Sequence, residues 1–295
     1  MKIQELLSLY SASEQIQNLN SRINQKSRNR ICLSGLIGSV DAIVAASTFQ
    51  LNSRTQLFIF NDADEAKYFQ NDLENLLEGK NILYFPPSYK RSFQIETLDN
   101  NNVLERSEVL NKLTLKLSKG DLICTTAEAL SELVISEEDL TKNTYELKVG
   151  DKFDLEFFIE FLTEHSFERK DFVYEAGEFS IRGGIIDVYS YSNEHPYRIE
   201  LNGDFVESIR TFDTYNQLSI KKVERFFIIP NIQKDIDTTA KKTFFNYLKN
   251  DTIIWTKELQ LSIDLIKNAE EKLIVNEKSK RDSTSKKYAT DFINS

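Results

Sequence analysis

The sequence predicts an α/β protein in which a parallel-sheet domain, made of two segments, is interrupted by a small α+β domain. Apolar strands alternate with amphipathic helices over residues 1–132, which is typical of a parallel sheet covered by helices. Strand-like runs then follow one another over 133–222, and the alternation returns over 223–280. The polar, charged residues 281–295 indicate a solvated linker.

The first segment opens with apolar residues three or four apart, the spacing of a helix face. Short apolar runs rich in β-branched and aromatic residues then predict strands, and each is followed by a periodic helical stretch. Pro86-Pro87 ends one such strand, and Asn61-Asp62 suits the start of a helix. In chain order we expect helix 2–27, strand 30–33, helix 41–49, strand 56–60, helix 65–77, strand 81–85, helix 104–117 and strand 121–124.

The middle domain is predicted from a strand, a helix and a hairpin signal. Asn202-Gly203 accepts the positive φ angles of a tight turn, and counting outward from it places Arg198 opposite Glu207 as a cross-strand ion pair. The second segment then repeats the strand and helix patterns. The expected elements are strand 144–149, helix 155–165, strand 226–229, helix 239–248, strand 252–255 and helix 263–273.

Composition excludes several classes of protein. The net charge of -9 and the pI near 5.0 argue against a dominant nucleic-acid face, because phosphate binding needs clustered Lys and Arg. No apolar run approaches the ~20 residues of a membrane span, and the first residues lack a signal-peptide pattern. We expect a cytoplasmic protein whose Cys32 and Cys124 are buried, reduced and hydrophobic in character.

A phosphate-binding loop is expected at the turn between the first strand and helix 41–49. Such a loop uses glycine N–H groups, a lysine for the phosphates and a Ser or Thr hydroxyl for Mg²⁺. The turn keeps Gly35, Gly38 and Ser39 but has no lysine. A degenerate, inactive nucleotide site is therefore predicted, and a plain glycine turn at a strand end explains the same residues.

The strand 252–255 leads to the same conclusion. An ATPase ends the equivalent strand in Asp-Glu to hold Mg²⁺, whereas Lys257 and Glu258 follow this one. A lysine in the place of a metal-binding aspartate repels the metal. The two histidines, His165 and His195, lack metal-ligand spacing, and no carboxylate pair stands out. We therefore expect no catalytic residue, no metal and no cofactor in this chain.

Two motifs carry a family resemblance. Both closely resemble the UvrB-like module of the bacterial transcription-repair coupling factors (Mfd). The first is GEFSIRGGIIDVYS at 177–190, and the second is EHPYRIELNGDFVESIRTFD at 194–213, followed by Gln217. The sequence departs from the family pattern at Asn202-Gly203, where the family usually has an aromatic residue. UvrB shares this middle domain. The missing phosphate-loop lysine, Lys257-Glu258 and the shortness of segment 88–102 all distinguish the sequence from UvrB.

The resemblance implies an architecture, a partner and a location in a longer chain. Residues 1–132 and 223–280 would form one degenerate P-loop ATPase-like domain, and 133–222 would bind UvrA, the damage-recognition protein of nucleotide excision repair. This piece would be the N-terminal module of the coupling factor. RNA polymerase and double-stranded DNA would be contacted by downstream domains, which would also hold the ATP- and Mg-dependent translocase.

In this family arginines of the middle domain make the UvrA contact. The resemblance implies that Arg169 and Arg182 are the corresponding residues here. A third family arginine is replaced by Ser180. Phe179 and Tyr189 are candidates for an aromatic anchor, since aromatic residues and Arg are enriched at interface centres. The alternatives are that Arg182 forms an ion pair with Glu178 or Asp187, and that Phe179 belongs to the core.

Three functions remain open on the sequence. The first is a non-catalytic adaptor that binds UvrA and so recruits excision repair to stalled RNA polymerase. The second is a nucleotide-dependent DNA damage-processing enzyme of the UvrB type, which the missing lysine disfavours. The third adds autoinhibition to the first, with the UvrA surface masked in the full-length protein, as the resemblance implies.

Overall fold

The structure is a computed structural model that describes residues 2–25, 30–92, 95–98, 100–115, 120–191, 193–229 and 242–277. The chain divides into two compact units. The first unit comprises 1–87, 116–132 and 243–295, and the second comprises 88–115 and 133–242. The expected linker 281–295 lies outside the described residues.

The helices and strands are numbered in chain order. The helices are α1 (Ile3–Ala12), α2 (Glu14–Ile23), α3 (Val40–Asn52), α4 (Ala63–Leu76), α5 (Asn100–Leu115), α6 (Ala127–Leu130), α7 (Glu137–Lys142), α8 (Leu155–Glu164) and α9 (Leu259–Glu277), with a 3-10 helix at Phe244–Tyr247. The strands are β1 (Gln56–Phe60), β2 (Ile82–Phe85), β3 (Tyr89–Ser92), β4 (Ile95–Leu98), β5 (Leu122–Thr126), β6 (Tyr145–Lys148), β7 (Glu168–Arg169), β8 (Glu178–Arg182), β9 (Ile185–Val188), β10 (Tyr197–Asn202), β11 (Phe205–Phe212), β12 (Ser219–Lys222), β13 (Arg225–Ile228) and β14 (Ile253–Thr256).

The first unit is built on a four-stranded parallel sheet in the order β14-β1-β5-β2. Every residue of β1, β2 and β5 is buried, as expected for parallel strands covered on both faces. Phe58 packs on Phe69 of α4 and on Trp255 of β14, with ring centroids 4.9 and 6.0 Å apart. The predicted parallel α/β sheet is confirmed.

Polar N-cap residues set where two helices of this unit begin. Asp62, directly after β1, accepts hydrogen bonds from the N–H groups of Asp64 and Glu65 and so caps α4. The single helix predicted over 2–27 is wrong, because Ser13 has extended backbone angles and separates α1 from α2. Its hydroxyl accepts a hydrogen bond from the Ile16 N–H group, which makes Ser13 the N-cap of α2.

The strand predicted over 30–33 does not form. Residues 30–37 belong to no helix or strand, and almost all of them are exposed. Cys32 is exposed as well, so its predicted burial is wrong, whereas Cys124 is buried in β5. Burial raises the pKa of the Cys124 thiol, which therefore behaves as a small apolar side chain.

The second unit contains a six-stranded sheet in the order β12-β11-β10-β9-β8-β7. Its strands are antiparallel except for the short parallel pair β7–β8. Phe158 of α8 and Phe179, Ile186, Ile199 and Ile209 of the sheet lie in one buried core. A short antiparallel pair, β3–β4, lies within residues 88–102, the segment whose shortness distinguishes the sequence from UvrB.

Two assignments to the parallel-sheet domain differ from the structure. The apolar strand expected over 226–229 is β13, which pairs with β6 inside the second unit, with Phe226 opposite Leu147. Residues 88–115 also belong to that unit. Of the helix expected over 239–248, residues 239–241 lie outside the described chain, Lys242 bridges to Val134, and a 3-10 helix follows.

Candidate protein-interaction site

The six-stranded sheet carries a polar ladder on the face opposite its apolar core. Ser180 lies opposite Asp187, Asp187 opposite Arg198, Arg198 opposite Arg210, and Arg210 opposite Lys222. Residues paired in this way point to the same side of a sheet, while their neighbours along each strand point to the other. Charged and polar groups are thus lined up across five strands.

Asp187 is the centre of the ladder. Its side chain is fully buried, and Arg198 donates two hydrogen bonds to it, Nε to Oδ1 at 2.7 Å and Nη2 to Oδ2 at 2.9 Å. Arg182 donates a third, from Nη2 to Oδ2. The hydrogen bonding of Arg198 itself to Asp187 contributes most to the raised pKa of Arg198. Two guanidinium groups therefore compensate one buried carboxylate.

Arg182 also fixes the segment that precedes β8. Its Nη1 donates to the Asp171 carbonyl oxygen at 2.7 Å and to the Ser180 hydroxyl at 3.2 Å, and its guanidinium lies 5.0 Å from the Phe172 ring centre. Its side chain remains 36% exposed. The ion pair with Asp187 is thus the structural role foreseen as an alternative, while a partner contact by Arg182 stays a prediction.

The other carboxylate considered for Arg182 serves a different purpose. Glu178 accepts hydrogen bonds from the backbone N–H groups of Tyr174 and Glu175, at 2.8 and 3.0 Å. These contacts shape the turn before β8. Together with the bonds from Arg182 to Asp171, they hold the segment 171–175 against the end of the sheet.

Arg169 lies on β7, the edge strand of the sheet, opposite Phe179. Its side chain is exposed, and within the described residues its guanidinium forms no ion pair. The neighbouring Lys170 instead pairs with Glu168, Nζ to Oε2 at 2.7 Å. The Arg169 guanidinium is therefore available to a partner carboxylate.

The structure corrects the predicted aromatic anchor. Phe179 is 2% exposed in the core and cannot contact a partner, so its assignment to the interface is wrong and the core alternative is right. Tyr189 is half-buried, its hydroxyl donates to the Glu194 carbonyl oxygen, and burial raises its pKa. Phe172 and Tyr174, which the sequence analysis missed, are 49% and 57% exposed.

A sequence signal for these two aromatic residues was present. Phe172 and Tyr174 flank Val173, which is fully buried. Burial alternates along this segment, so that the small central residue faces the interior and both aromatic rings reach solvent. Arg169, Arg182, Phe172 and Tyr174, whose side chains reach solvent around the β7 end of the sheet, are named here the β7 surface. By their pairing Arg169 lies on the face of Phe179 and Arg182 on the face of the polar ladder, so the surface wraps around the sheet edge.

The predicted ion pair between Arg198 and Glu207 is wrong. The tight turn is Gly203-Asp204, with Gly203 at φ +60°, so Asn202 faces Phe205. A bulge between Glu200 and Leu201 then shifts the register again. Both shifts move Arg198 opposite Arg210, and Arg210 forms its ion pair with Glu200.

The residues of the expected nucleotide site lie in the first unit. Gly35 and Gly38 have left-handed φ angles of +81° and +61° in the exposed segment before α3, and Ser39 precedes α3 without a side-chain cap. The strand that should precede a phosphate loop is absent from this segment. Glu258 is exposed at the start of α9.

Lys257 occupies the carboxyl end of β14. Its Nζ lies 2.6 Å from Oε1 of Glu65 and 3.3 Å from Oδ2 of Asp41, and 5.8 Å from the Phe60 ring centre. Burial alone would lower the pKa of Lys257, but the two carboxylates together raise it. The ammonium group therefore stays charged between two acids.

The described residues contain neither a cluster of metal-ligating side chains nor a helix able to cross a membrane. Among the described residues, no group of three or more His, Cys, Asp or Glu side chains is arranged to bind a metal ion. Likewise, none of the described helices combines the length and the apolar character that crossing a membrane requires.

Comparisons with known proteins agree with the resemblance. A family model described as the UvrB interaction domain matches residues 145–233. The transcription-repair-coupling factor of Bacillus subtilis is 30% identical over 198 residues, 67% of this chain and 17% of the relative. That of Rickettsia conorii is 33% identical over 216 residues, 70% of this chain and 19% of the relative.

A UvrB protein is also similar. The UvrABC system protein B of Thermosipho africanus is 26% identical over 221 residues, which is 71% of this chain and 33% of the relative. The chain thus spans less than a fifth of the two coupling factors and a third of this UvrB protein. The predicted resemblance is confirmed: the chain belongs to the transcription-repair-coupling factor family, as a UvrB-like module.

Proposed function

We propose that the chain is a non-catalytic adaptor that binds UvrA and thereby recruits nucleotide excision repair to stalled RNA polymerase. The observation that carries the proposal is the β7 surface, which lies within the segment matched by the UvrB interaction domain. There two arginines and two exposed aromatic residues stand within fourteen positions of one another in the chain, 169 to 182.

The chemistry of this surface suits a protein partner. Arg169 offers an exposed guanidinium, which captures a carboxylate through two parallel hydrogen bonds. Phe172 and Tyr174 supply large, rigid apolar area, and such residues dominate binding energy at interface centres. We infer that Arg182 acts mainly by holding this surface in shape, through Asp171 and the Phe172 ring.

Pre-organisation strengthens the proposal. Arg182 is fixed by hydrogen bonds to three groups, the Asp187 carboxylate, the Asp171 carbonyl and the Ser180 hydroxyl. A surface that is already ordered loses little conformational entropy when its partner binds. The buried Asp187 thus contributes to binding without touching the partner.

The absence of catalysis in this chain is part of the proposal. We infer that the first unit is a degenerate P-loop ATPase-like domain, because Gly35, Gly38 and Ser39 lack an accompanying lysine. Lys257 places a cation between Asp41 and Glu65, where a metal ion would meet repulsion. ATP and Mg²⁺, like the contacts to RNA polymerase and double-stranded DNA, would belong to other domains of the parent protein.

A UvrB-type enzyme is the second candidate, favoured by the similarity to the Thermosipho africanus protein. It requires nucleotide binding by the first unit. Isothermal titration of the chain with MgATP separates the two candidates. We expect no heat of binding, whereas saturable binding that is lost on replacing Ser39 would favour the enzyme.

The adaptor proposal is tested by titrating purified UvrA into the chain and into two arginine variants. Arg169→Ala should weaken binding by about 1–3 kcal/mol, the usual loss for a charged interface hydrogen bond. Arg225→Ala is the matched control, since Arg225 is an exposed arginine on β13 of the same unit. Equal losses in both variants, or no binding by the wild type, would contradict the proposal.

Masking of the surface in the parent protein gives one further comparison. If other domains cover the β7 surface, the isolated chain should bind UvrA more tightly than the full-length protein does. Equal affinities, measured by the same titration, would exclude masking while leaving the adaptor role intact.

A further inference from the structure

The strand β12 forms the edge of the six-stranded sheet that lies opposite β7. All four of its residues are exposed. The Val223 N–H group donates to the Ile209 carbonyl oxygen at 3.0 Å, and successive residues of a strand alternate in direction. The N–H and C=O groups of Lys222 therefore point away from β11, and within the described residues no strand pairs with this edge.

Exposed apolar side chains lead into this edge. Tyr215, Leu218 and Ile220 are 95%, 66% and 52% exposed. The turn that carries Tyr215 and Leu218 is ordered, because the Asp213 carboxylate accepts hydrogen bonds from the N–H groups of Tyr215 and Asn216 at 2.9 and 3.0 Å. A fixed turn that presents apolar groups to water has the character of a binding surface.

The same turn is tied to the buried part of the polar ladder. Gln217 holds a left-handed φ of +62°, which is unfavourable for a residue other than glycine. Arg198 compensates by donating to the Gln217 carbonyl oxygen at 3.2 Å and to its side-chain oxygen at 3.0 Å, while it also binds Asp187. The turn is thereby held in one conformation.

Charge identifies the kind of strand that fits this edge. Lys221 and Lys222 are exposed, β12 has no acidic residue, and neither lysine forms an ion pair among the described residues. Antiparallel pairing of β12 with a second copy would bring four lysines into one ladder, which is unfavourable. A strand that carries acidic side chains would be attracted instead.

We propose that β12 and the turn 213–218 form a docking edge for an extended acidic and apolar peptide segment of another protein. The peptide would add a seventh strand to the sheet, with its backbone bound to Lys222 and its apolar side chains near Ile220 and Leu218. This edge is about 24 Å from β7 at ~4.8 Å per strand, so it does not depend on the UvrA proposal.

The test uses two fluorescent peptides and the whole chain. In the first peptide glutamate alternates with valine, and in the second lysine replaces each glutamate. Anisotropy should show that the glutamate peptide binds at least about tenfold more tightly, because its charges complement the edge. Lys222→Pro should weaken this binding at least about fivefold, since proline removes the outward N–H group without disturbing the bonds to β11.

Lys221→Glu is the second variant, and it changes only an exposed side chain. It should weaken binding of the glutamate peptide and strengthen binding of the lysine peptide, and it carries the test if Lys222→Pro fails to fold. Lys142→Glu is the matched control, since Lys142 is an exposed lysine on α7 of the same unit. Circular dichroism verifies that each variant is folded.

Three outcomes would overturn the proposal. The first is equal affinity for both peptides, or no binding of either at about 1 mM, the weak end of specific recognition. The second is an equal loss of binding in Lys142→Glu and Lys221→Glu. The third is a dimer in sedimentation that Lys222→Pro abolishes, which would make a second copy of the chain the occupant of the edge.

Discussion

The guanidinium of Arg182 and the carboxylate of Asp187 form an ion pair across the two-glycine turn that joins β8 to β9. Asp187 is fully buried, whereas Arg182 is 36% exposed at its side chain. One partner thus belongs to the interior of the sheet and the other reaches the surface. The arginine singled out by the sequence motif therefore has a role in stability as well as any role in binding.

Removal of the buried carboxylate should be strongly destabilising. Asp187→Ala leaves the Arg182 and Arg198 guanidinium groups without their shared partner, and we expect a loss of about 3–5 kcal/mol in the free energy of unfolding. Urea denaturation measures it. Glu207→Ala, which removes an exposed carboxylate from the same sheet, should change stability by less than about 0.5 kcal/mol. Similar values for both variants would refute the role of Asp187.

Two phenylalanines that lie near each other in sequence should behave in opposite ways. Phe179→Ala opens a cavity in the core and should cost about 3–5 kcal/mol of stability. Phe172→Ala removes an exposed ring and should leave the denaturation midpoint nearly unchanged while it weakens UvrA binding. If Phe172→Ala bound UvrA as tightly as the wild type, the β7 surface would have to exclude this ring.

Stability should fall at alkaline pH because of Tyr197. Burial, aided by the Glu108 carboxylate, raises the pKa of Tyr197 to about 12. The unfolded chain loses this proton near pH ~10, so between roughly pH 10 and 12 the folded state binds more protons. The stability that the neutral Tyr197 hydroxyl contributes is therefore fully present below pH ~10. About 3 kcal/mol of it is lost as the pH rises to ~12.

The Tyr197 effect is measured by comparing urea denaturation of the wild type and Tyr197→Phe at several alkaline pH values. Phenylalanine has no ionisable hydroxyl, so the variant should lose less stability over the same pH range. The Tyr197 hydroxyl also donates a hydrogen bond to the Asn193 side chain at 2.8 Å. The variant lacks this hydrogen bond, which lowers its stability at every pH. Parallel pH profiles of the two proteins would show that Tyr197 does not titrate as expected.

Lys257→Met tests the cation in the first unit. The substitution leaves Asp41 and Glu65 without their shared ammonium group, but the Lys257 side chain is 49% exposed. We therefore expect a modest loss of stability, below about 1 kcal/mol. Neither protein should be stabilised by MgATP in thermal unfolding, and a nucleotide-dependent rise in the melting temperature of the wild type would contradict the degenerate site.

Local pattern was enough to predict some elements and insufficient for others. The run Gln56–Phe60 and the helix after Asp62 were predicted well because apolar content and a capping residue act locally. The strand Phe226–Ile229 was placed in the wrong unit, because its partner β6 is some eighty residues away in the chain. An apolar run contains no information about the strand with which it pairs.

In the candidate site, too, local contacts could be predicted and contacts that depend on strand register could not. The Arg182–Asp187 pair could be foreseen because a tight turn separates the two residues. The Arg198 partner could not, because a turn shifted along the chain and a bulge at Glu200 both change the register. Phe172 and Tyr174 were missed because the alternation Phe172-Val173-Tyr174 does not by itself say whether the valine or the aromatic rings are buried, and only the structure buries Val173.

The most direct test of the central claim is the affinity of the folded chain for purified UvrA, measured by calorimetry with Arg169→Ala beside the wild type. The account predicts saturable binding by the wild type and a loss of about tenfold or more in the variant, the equivalent of ~1.4 kcal/mol, with unchanged stability. No binding by the wild type, or equal binding by both proteins, would contradict it.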